Sequence, residues 1–228
     1  MDVGILKLPT TNYQLPNAND MKIKVCGMGS PENILEVAAL KPDYLGFIFF
    51  EKSPRNFEGN IPKLPESIIK TGVFVNASFE FVQEKIKQYD FKAVQLHGKE
   101  SPEYCKKIKE LGIEVFKVFS IRNEFDFDVL IPFEGAVDYF LFDTKGEQPG
   151  GNGFVFDWSV LKNYSSKTSF ILSGGIGLEE VGAVKEIMKT DLPIHALDLN
   201  SKFEIKPALK DVEKLKKFLK EIDKYNFK

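Results

Sequence analysis

The chain has 228 residues, a formal net charge of −2 and 43% hydrophobic residues, 21 of them phenylalanine. That is enough to bury a substantial core in one large domain or two small ones. A near-balanced charge and a pI near 5.9 argue against nucleic acid or an anionic membrane as the main partner. No apolar run approaches the roughly 18 residues that cross a bilayer.

The two cysteines, Cys26 and Cys105, are too few for a disulfide framework and lack the paired spacing of a zinc site. With two histidines and no clustered carboxylates, the spacing assembles no metal site. Residues 1–20 carry Asp2, Pro9, Pro16 and Asp20 around no long apolar centre, so they do not read as a secretory signal. They are expected to form an N-terminal extension, a candidate for disorder, ahead of a catalytic domain over 21–228. The expected compartment is the reducing cytoplasm.

In chain order, a strand is predicted over Lys22–Val25, then a helix over Asn33–Leu40 with a proline just ahead of it. Strands Tyr44–Phe49 and Gly72–Val75 follow, then the helical pattern Phe79–Tyr89. Strand Ala93–Leu96 leads to helix Pro102–Leu111, which Gly112 stops. Strands Val115–Phe119, Tyr139–Phe142 and Phe170–Leu172 come next, then helix Leu178–Met188, strand His195–Leu197 and a closing helix over Val212–Ile222. No clear helix follows the second, fifth or sixth strand. Eight strands alternating with helices, without a tandem glycine fingerprint, predict a single-domain (β/α)8 TIM barrel rather than an open doubly wound sheet.

In such a barrel the residues after each strand line the face that carries the chemistry. Strand one delivers Cys26 and Gly27. Cys26 is a candidate reactive thiol there, against the alternative of a small core filler. Strand two is followed by Ser53-Pro54-Arg55, and a proline-stiffened guanidinium suits a carboxylate, which it can hold through two parallel hydrogen bonds, against the alternative of an ordinary surface arginine. Strand four brings His97, which either orients a ligand or is satisfied by backbone. Strand six delivers Asp143 among phenylalanines, where partial desolvation would raise a carboxyl pKa and prepare it to donate a proton, against the alternative of a structural aspartate capping Thr144 and the next turn.

Strand seven ends in Ser173-Gly174-Gly175. Its two glycines either let backbone approach an anion or merely make a tight turn, and Asn200-Ser201 after strand eight makes a second anion-friendly turn. Loops after strands seven and eight form the usual phosphate site of this fold.

These pieces resemble the phosphoribosylanthranilate isomerase family from about Met21 onward. The resemblance is carried by Lys24-Val25-Cys26-Gly27-Met28, by Gly46-Phe47-Ile48-Phe49 with Ser53-Pro54-Arg55, and by Gly72-Val73-Phe74-Val75-Asn76. It continues through Gln95-Leu96-His97-Gly98, Phe142-Asp143, Gly150-Gly151-Asn152-Gly153, Asp157-Trp158, Ser173-Gly174-Gly175-Ile176 and Lys210-Asp211. It implies an Amadori rearrangement of N-(5-phosphoribosyl)anthranilate in tryptophan biosynthesis, with no cofactor. By analogy the general base is Cys26, the general acid Asp143 and the anthranilate-carboxylate residue Arg55. The phosphate lies on Gly174-Gly175 and Asn200-Ser201, with His97 also lining the site. The implied partner is a small-molecule phosphosugar, for a monomer or homodimer.

The chain departs from the family pattern after strand eight. Asp198-Leu199-Asn200-Ser201-Lys202-Phe203-Glu204 stands where Asp-x-Ser-Ser-Gly-Val-Glu is usual, and Pro207-Ala208 replaces Pro-Gly. Lys202 is expected to adopt ordinary backbone and to remain peripheral to the phosphate. Another phosphosugar barrel and a degenerate, regulatory phosphosugar-binding barrel are the competing readings.

Overall fold

The computed structural model describes residues 21–122, 124–144 and 157–222. The expected N-terminal extension and the Gly150–Gly153 motif lie outside the described residues. Eight parallel strands close on themselves in sequence order: β1 (Lys22–Val25), β2 (Tyr44–Phe49), β3 (Ile69–Phe74), β4 (Ala93–Leu96), β5 (Glu114–Ile121), β6 (Tyr139–Thr144), β7 (Phe170–Leu172) and β8 (Ile194–Leu199). Pairing of β1 with β8, in a register that sets Lys24 beside Asp198, shuts the barrel.

Outside it pack α1 (Pro31–Ala38), α2 (Phe79–Tyr89), α3 (Pro102–Lys109), α4 (Val181–Ile187) and α5 (Val212–Glu221). A two-stranded hairpin, β9 (Glu204–Lys206) and β10 (Leu209–Lys210), bridges β8 to α5.

The helices begin where local chemistry favours it. Ser30, Ser78, Ser101 and Asp211 each accept a hydrogen bond from a first-turn backbone amide, satisfying a donor with no partner inside the helix. Pro31 and Pro102 occupy first-turn positions that need no N–H.

No α-helix follows β2, and β5 and β6 are followed by 3₁₀ turns over Phe127–Phe133 and Trp158–Asn163. The predicted helix Leu178–Met188 divides into a 3₁₀ turn over Leu178–Glu180 and the shorter α4. β3 begins three residues earlier than the alternation implied, at Ile69 rather than Gly72. Its early half carries Lys70 and Thr71, and Thr71 is a buried polar residue, so hydrophobic patterning passes over it.

Side chains alternate between the barrel interior and the helix layer. A floor layer of Tyr44, Ala93, Phe116, Val118, Leu141, Ile171 and Ala196 packs together apart from the larger outer core. On the N-terminal side of it the Tyr44 hydroxyl donates to Glu114 Oε2 at 3.0 Å and sits 2.8 Å from His195 Nε2. The His195 ring stacks on Tyr139. Burial, with Lys22 nearby, pushes His195 down to about 3, so it is neutral in the folded protein. One step further up each strand the interior turns polar, and that is where the candidate site begins.

Candidate active site

Inward positions two residues apart deliver the side chains of the C-terminal mouth. On β1 the ladder is Lys22, Lys24, Cys26. Lys24 is fully buried and paired with Asp198 Oδ1 at 2.8 Å. Burial alone would lower its ammonium, but Asp198 and the Cys26 thiol more than offset that, so Lys24 stays charged.

Cys26 follows, only 3% exposed. Its own N–H donates to Leu199 O at 2.9 Å, and the N–H groups of Gly27 and Met28 both donate to Gly46 O at 3.0 Å. Gly46 is the inward position of β2 beside the thiol, and a Cβ placed there would stand 2.7 Å from Cys26 Sγ. The missing side chain is what makes room for the sulfur. Burial pushes the thiol up, Lys24 opposes it, and the balance remains upward. At neutral pH the resting side chain therefore keeps its proton.

Three strands round the barrel, Asp143 sits near the end of β6 and is 8% exposed. His97 Nε2 faces Asp143 Oδ2 at 3.5 Å. The other ring nitrogen, Nδ1, lies 3.2 Å from Gln95 Nε2. In the tautomer that carries its proton on Nε2, Nδ1 accepts from the Gln95 amide and Nε2 points its N–H towards Asp143. Gln95 is itself 2% exposed, and its Oε1 has no hydrogen-bond partner among the described residues.

The β7 and β8 ends supply the third wall. Gly174 and Gly175 adopt φ of +90° and +68°. A Cβ on Gly174 would collide with Thr144 Oγ1 and stand 2.5 Å from Thr144 N. Both the backbone conformation and the close approach demand glycine.

After β8, Asn200 leads into a 3₁₀ turn over Ser201–Phe203. Arg55 reaches across from the β2 loop and is held by Glu204: Nε lies 2.9 and 3.0 Å from the two carboxylate oxygens, and Nη2 lies 2.6 Å from Oε2. The same carboxylate accepts from Lys210 Nζ at 2.7 Å, and Lys210 also donates to Asn200 Oδ1 at 2.6 Å. Burial would push Glu204 up, but hydrogen bonds and charge from Arg55 and Lys210 hold it below the usual range. It is an anion between two cations. Among the described residues no group of three or more His, Cys, Asp or Glu could hold a metal ion.

A closed eight-stranded barrel with a thiol, a carboxyl, a tethered guanidinium and two left-handed glycines at one mouth has a counterpart among known proteins. Residues 23–221 match the family model described as N-(5'-phosphoribosyl)anthranilate (PRA) isomerase. The chain belongs to the phosphoribosylanthranilate isomerase family. It is 46% identical over 209 residues to N-(5'-phosphoribosyl)anthranilate isomerase of Parabacteroides distasonis, covering 89% of this chain and 93% of that one. Among solved structures, the isomerase of Thermotoga maritima superposes with a TM-score of 0.78 at 31% identity, covering 90% of this chain and 100% of that one. Another solved isomerase of the family, in complex with reduced 1-(o-carboxyphenylamino)-1-deoxyribulose 5-phosphate, gives 0.75 at 29% identity, with the same coverage.

Every site residue expected from the sequence faces one cavity: Cys26, Arg55, His97, Asp143, Gly174, Gly175, Asn200 and Ser201. The two departures from the family pattern resolve differently. Lys202, in place of the usual glycine, is absent from the positive-φ residues, as expected. Its stem packs on Gly177 and it borders the cavity rather than standing clear of it. Ala208 keeps a glycine-like φ of +64° although it carries a Cβ.

Sequence reasoning did not single out Lys24, Gln95, Glu204 or Lys210 as members of the site. A signal existed for the first two, which lie two residues before Cys26 and His97 and so share their inward face. Glu204 and Lys210 sit in stretches that carry the family resemblance, but nothing in their local spacing places either side chain in the cavity wall.

Proposed function

We propose that this site performs the Amadori rearrangement of N-(5-phosphoribosyl)anthranilate, with Asp143 as general acid and Cys26 as general base. As a member of its family the chain is an isomerase of tryptophan biosynthesis. The observation that carries the residue assignment is that a thiol and a carboxyl from strands three apart open into one cavity. Arg55 stands at one side of it and the Gly174-Gly175 turn at another.

Asp143 donates its proton to the ribose ring oxygen, the bond from that oxygen to C1 breaks, and the nitrogen lone pair forms the iminium. Cys26, having released its own proton to solvent as the iminium forms, takes the C2 proton as thiolate, and the C–H electron pair moves towards the cationic nitrogen to give an enolamine. Tautomerisation to the ketone completes 1-(2-carboxyphenylamino)-1-deoxyribulose 5-phosphate. No atoms are gained or lost, so no redox partner enters.

The raised thiol pKa sets a condition on this order. Thiolate is scarce until positive charge appears beside it, and the iminium supplies that charge as the ring opens. Lys24, held two residues below, adds a fixed cation on the same side. The anthranilate carboxylate belongs on Arg55, and the phosphate on the backbone amides of Gly174-Gly175 with the Asn200-Ser201 turn. His97 presents its Nε2 proton to Asp143 and orients the acid. We place the enzyme in the cytoplasm on its two free cysteines.

The test is consumption of phosphoribosylanthranilate by the purified protein, followed by anthranilate fluorescence. Cys26→Ala and Asp143→Asn should each lose about 10²–10⁴-fold in kcat while staying folded. A variant that keeps more than about a tenth of wild-type turnover removes its residue from the assigned role.

A further inference from the structure

Arg55 lines the cavity, yet its guanidinium is already engaged. A guanidinium offers five N–H donors, and Glu204 takes the edge formed by Nε and one Nη2 hydrogen. The described hydrogen bonds leave the opposite edge, Nη1 with the second Nη2 hydrogen, uncommitted. That edge has the parallel two-donor geometry that fits a planar carboxylate.

The counter-ion is fixed in turn. Glu204 Oε1 also accepts from the Ala208 N–H at 3.2 Å and from Lys210, which is 1% exposed. The backbone of Lys210 is clamped to α1, its N–H donating to Asn33 Oδ1 at 2.7 Å and its carbonyl accepting from Asn33 Nδ2 at 3.0 Å. Gly27, next to the thiol, lies beneath both ends of this network: a Cβ there would stand 2.8 Å from Asn200 Oδ1 and 2.9 Å from Arg55 Cδ. Two basic side chains share one carboxylate where an anionic ligand enters; burial pushes the Lys210 ammonium below its ordinary value and Glu204 opposes that.

We propose that Glu204 and Lys210 are positioning residues that set specificity for a substrate bearing an aromatic carboxylate. Glu204 occupies one edge of the Arg55 fork and so decides which edge faces the ligand. Lys210 restores the charge that Glu204 neutralises and ties the same anchor to Asn200, so that the carboxylate end and the phosphate turn are held in one register. Without Glu204, Arg55 is a long, unanchored side chain that must lose rotamer freedom on binding. The inference rests on the reading of Arg55 as the carboxylate-binding residue.

Two inhibitors separate the possibilities: reduced 1-(o-carboxyphenylamino)-1-deoxyribulose 5-phosphate and the same compound without its carboxyl group. Inhibition constants are measured for wild type, Arg55→Ala, Glu204→Gln and Lys210→Met. Glu204→Gln is expected to weaken the carboxylate-bearing inhibitor about tenfold and the carboxylate-free one less than about twofold, raising KM more than it lowers kcat. In an Arg55→Ala background it should change neither further. Lys210→Met should weaken both inhibitors, because Asn200 loses its anchor too.

Equal losses for the two inhibitors in Glu204→Gln, or no loss at all, would overturn the proposal. If Arg55→Ala itself fails to discriminate between them, the assignment of Arg55 fails; if it discriminates and Glu204→Gln does not, only the present inference fails. Should Glu204→Gln not fold, Glu204→Asp keeps the charge, withdraws it by one methylene and is read by the same ratio.

Discussion

Gly46→Ala is the substitution that most directly tests whether the position of the Cys26 sulfur matters. The new Cβ would lie 2.7 Å from Sγ, 3.1 Å from Cys26 Cα and 3.3 Å from Cys26 Cβ. An unstrained contact needs about 3.5–4.0 Å, so the sulfur must withdraw by roughly 1 Å, while β1 and β2 are pinned by the Gly27 and Met28 bonds to Gly46 O. Sγ is the free end of its side chain and will give way before the sheet does.

A displacement of about 1 Å can cost about 10²-fold in rate, and overpacking a rigid strand costs about 1–3 kcal/mol of stability. The expected outcome is a kcat near one hundredth of wild type, with inhibition by the reduced product analogue changed by less than about threefold, since the groups proposed to hold carboxylate and phosphate lie elsewhere. Cys26→Ala removes the sulfur, so the double variant should recover much of the lost stability in urea unfolding, a coupling that distant sites do not show. A Gly46→Ala enzyme within threefold of wild-type kcat would refute the role proposed for Cys26, because a base displaced by that much cannot remain effective.

Three further outcomes follow from the geometry. Burial raises the Cys26 thiol, so alkylation by iodoacetamide at pH 7 should be slow and should climb with pH on a limb centred above the ordinary thiol value of about 8.5. A limb centred below 8 would show that Lys24 outweighs burial. His195 is held near 3 in the folded protein against about 6.5 unfolded. The unfolded chain therefore binds the extra proton, and stability should fall as pH drops from about 6.5 towards 3. His195→Gln should flatten that part of the urea-midpoint profile relative to wild type, and parallel profiles would contradict the assignment. Ala208 carries a side chain at a φ of +64°, a conformation costing about 1–2 kcal/mol. Ala208→Gly should therefore raise stability by up to about 1 kcal/mol after the added chain entropy of glycine, and a loss above about 0.5 kcal/mol would mean that its methyl contacts outweigh the strain.

Much of this protein is written locally. The short, mostly apolar runs Tyr44–Phe49 and Ala93–Leu96, and helical spacing along Phe79–Tyr89, are properties of neighbouring residues, so strand and helix positions follow from chain chemistry alone. Their order then names the strand ends, and in a barrel the strand ends are the site. For that reason Cys26, Asp143, Arg55 and Gly174-Gly175 could be picked before any coordinates.

What the local pattern could not contain is the choice of partners. Lys24 meets Asp198 across 174 positions and Arg55 meets Glu204 across 149, pairings that exist only once β8 closes against β1. The protonation of the thiol is of the same kind. A cysteine in solution titrates near 8.5, and only the closed barrel supplies both the desolvation that raises Cys26 and the buried ammonium that opposes it. Residue type and spacing determined which groups could react; barrel closure decided how each is charged, which edge of it is free, and what holds it still.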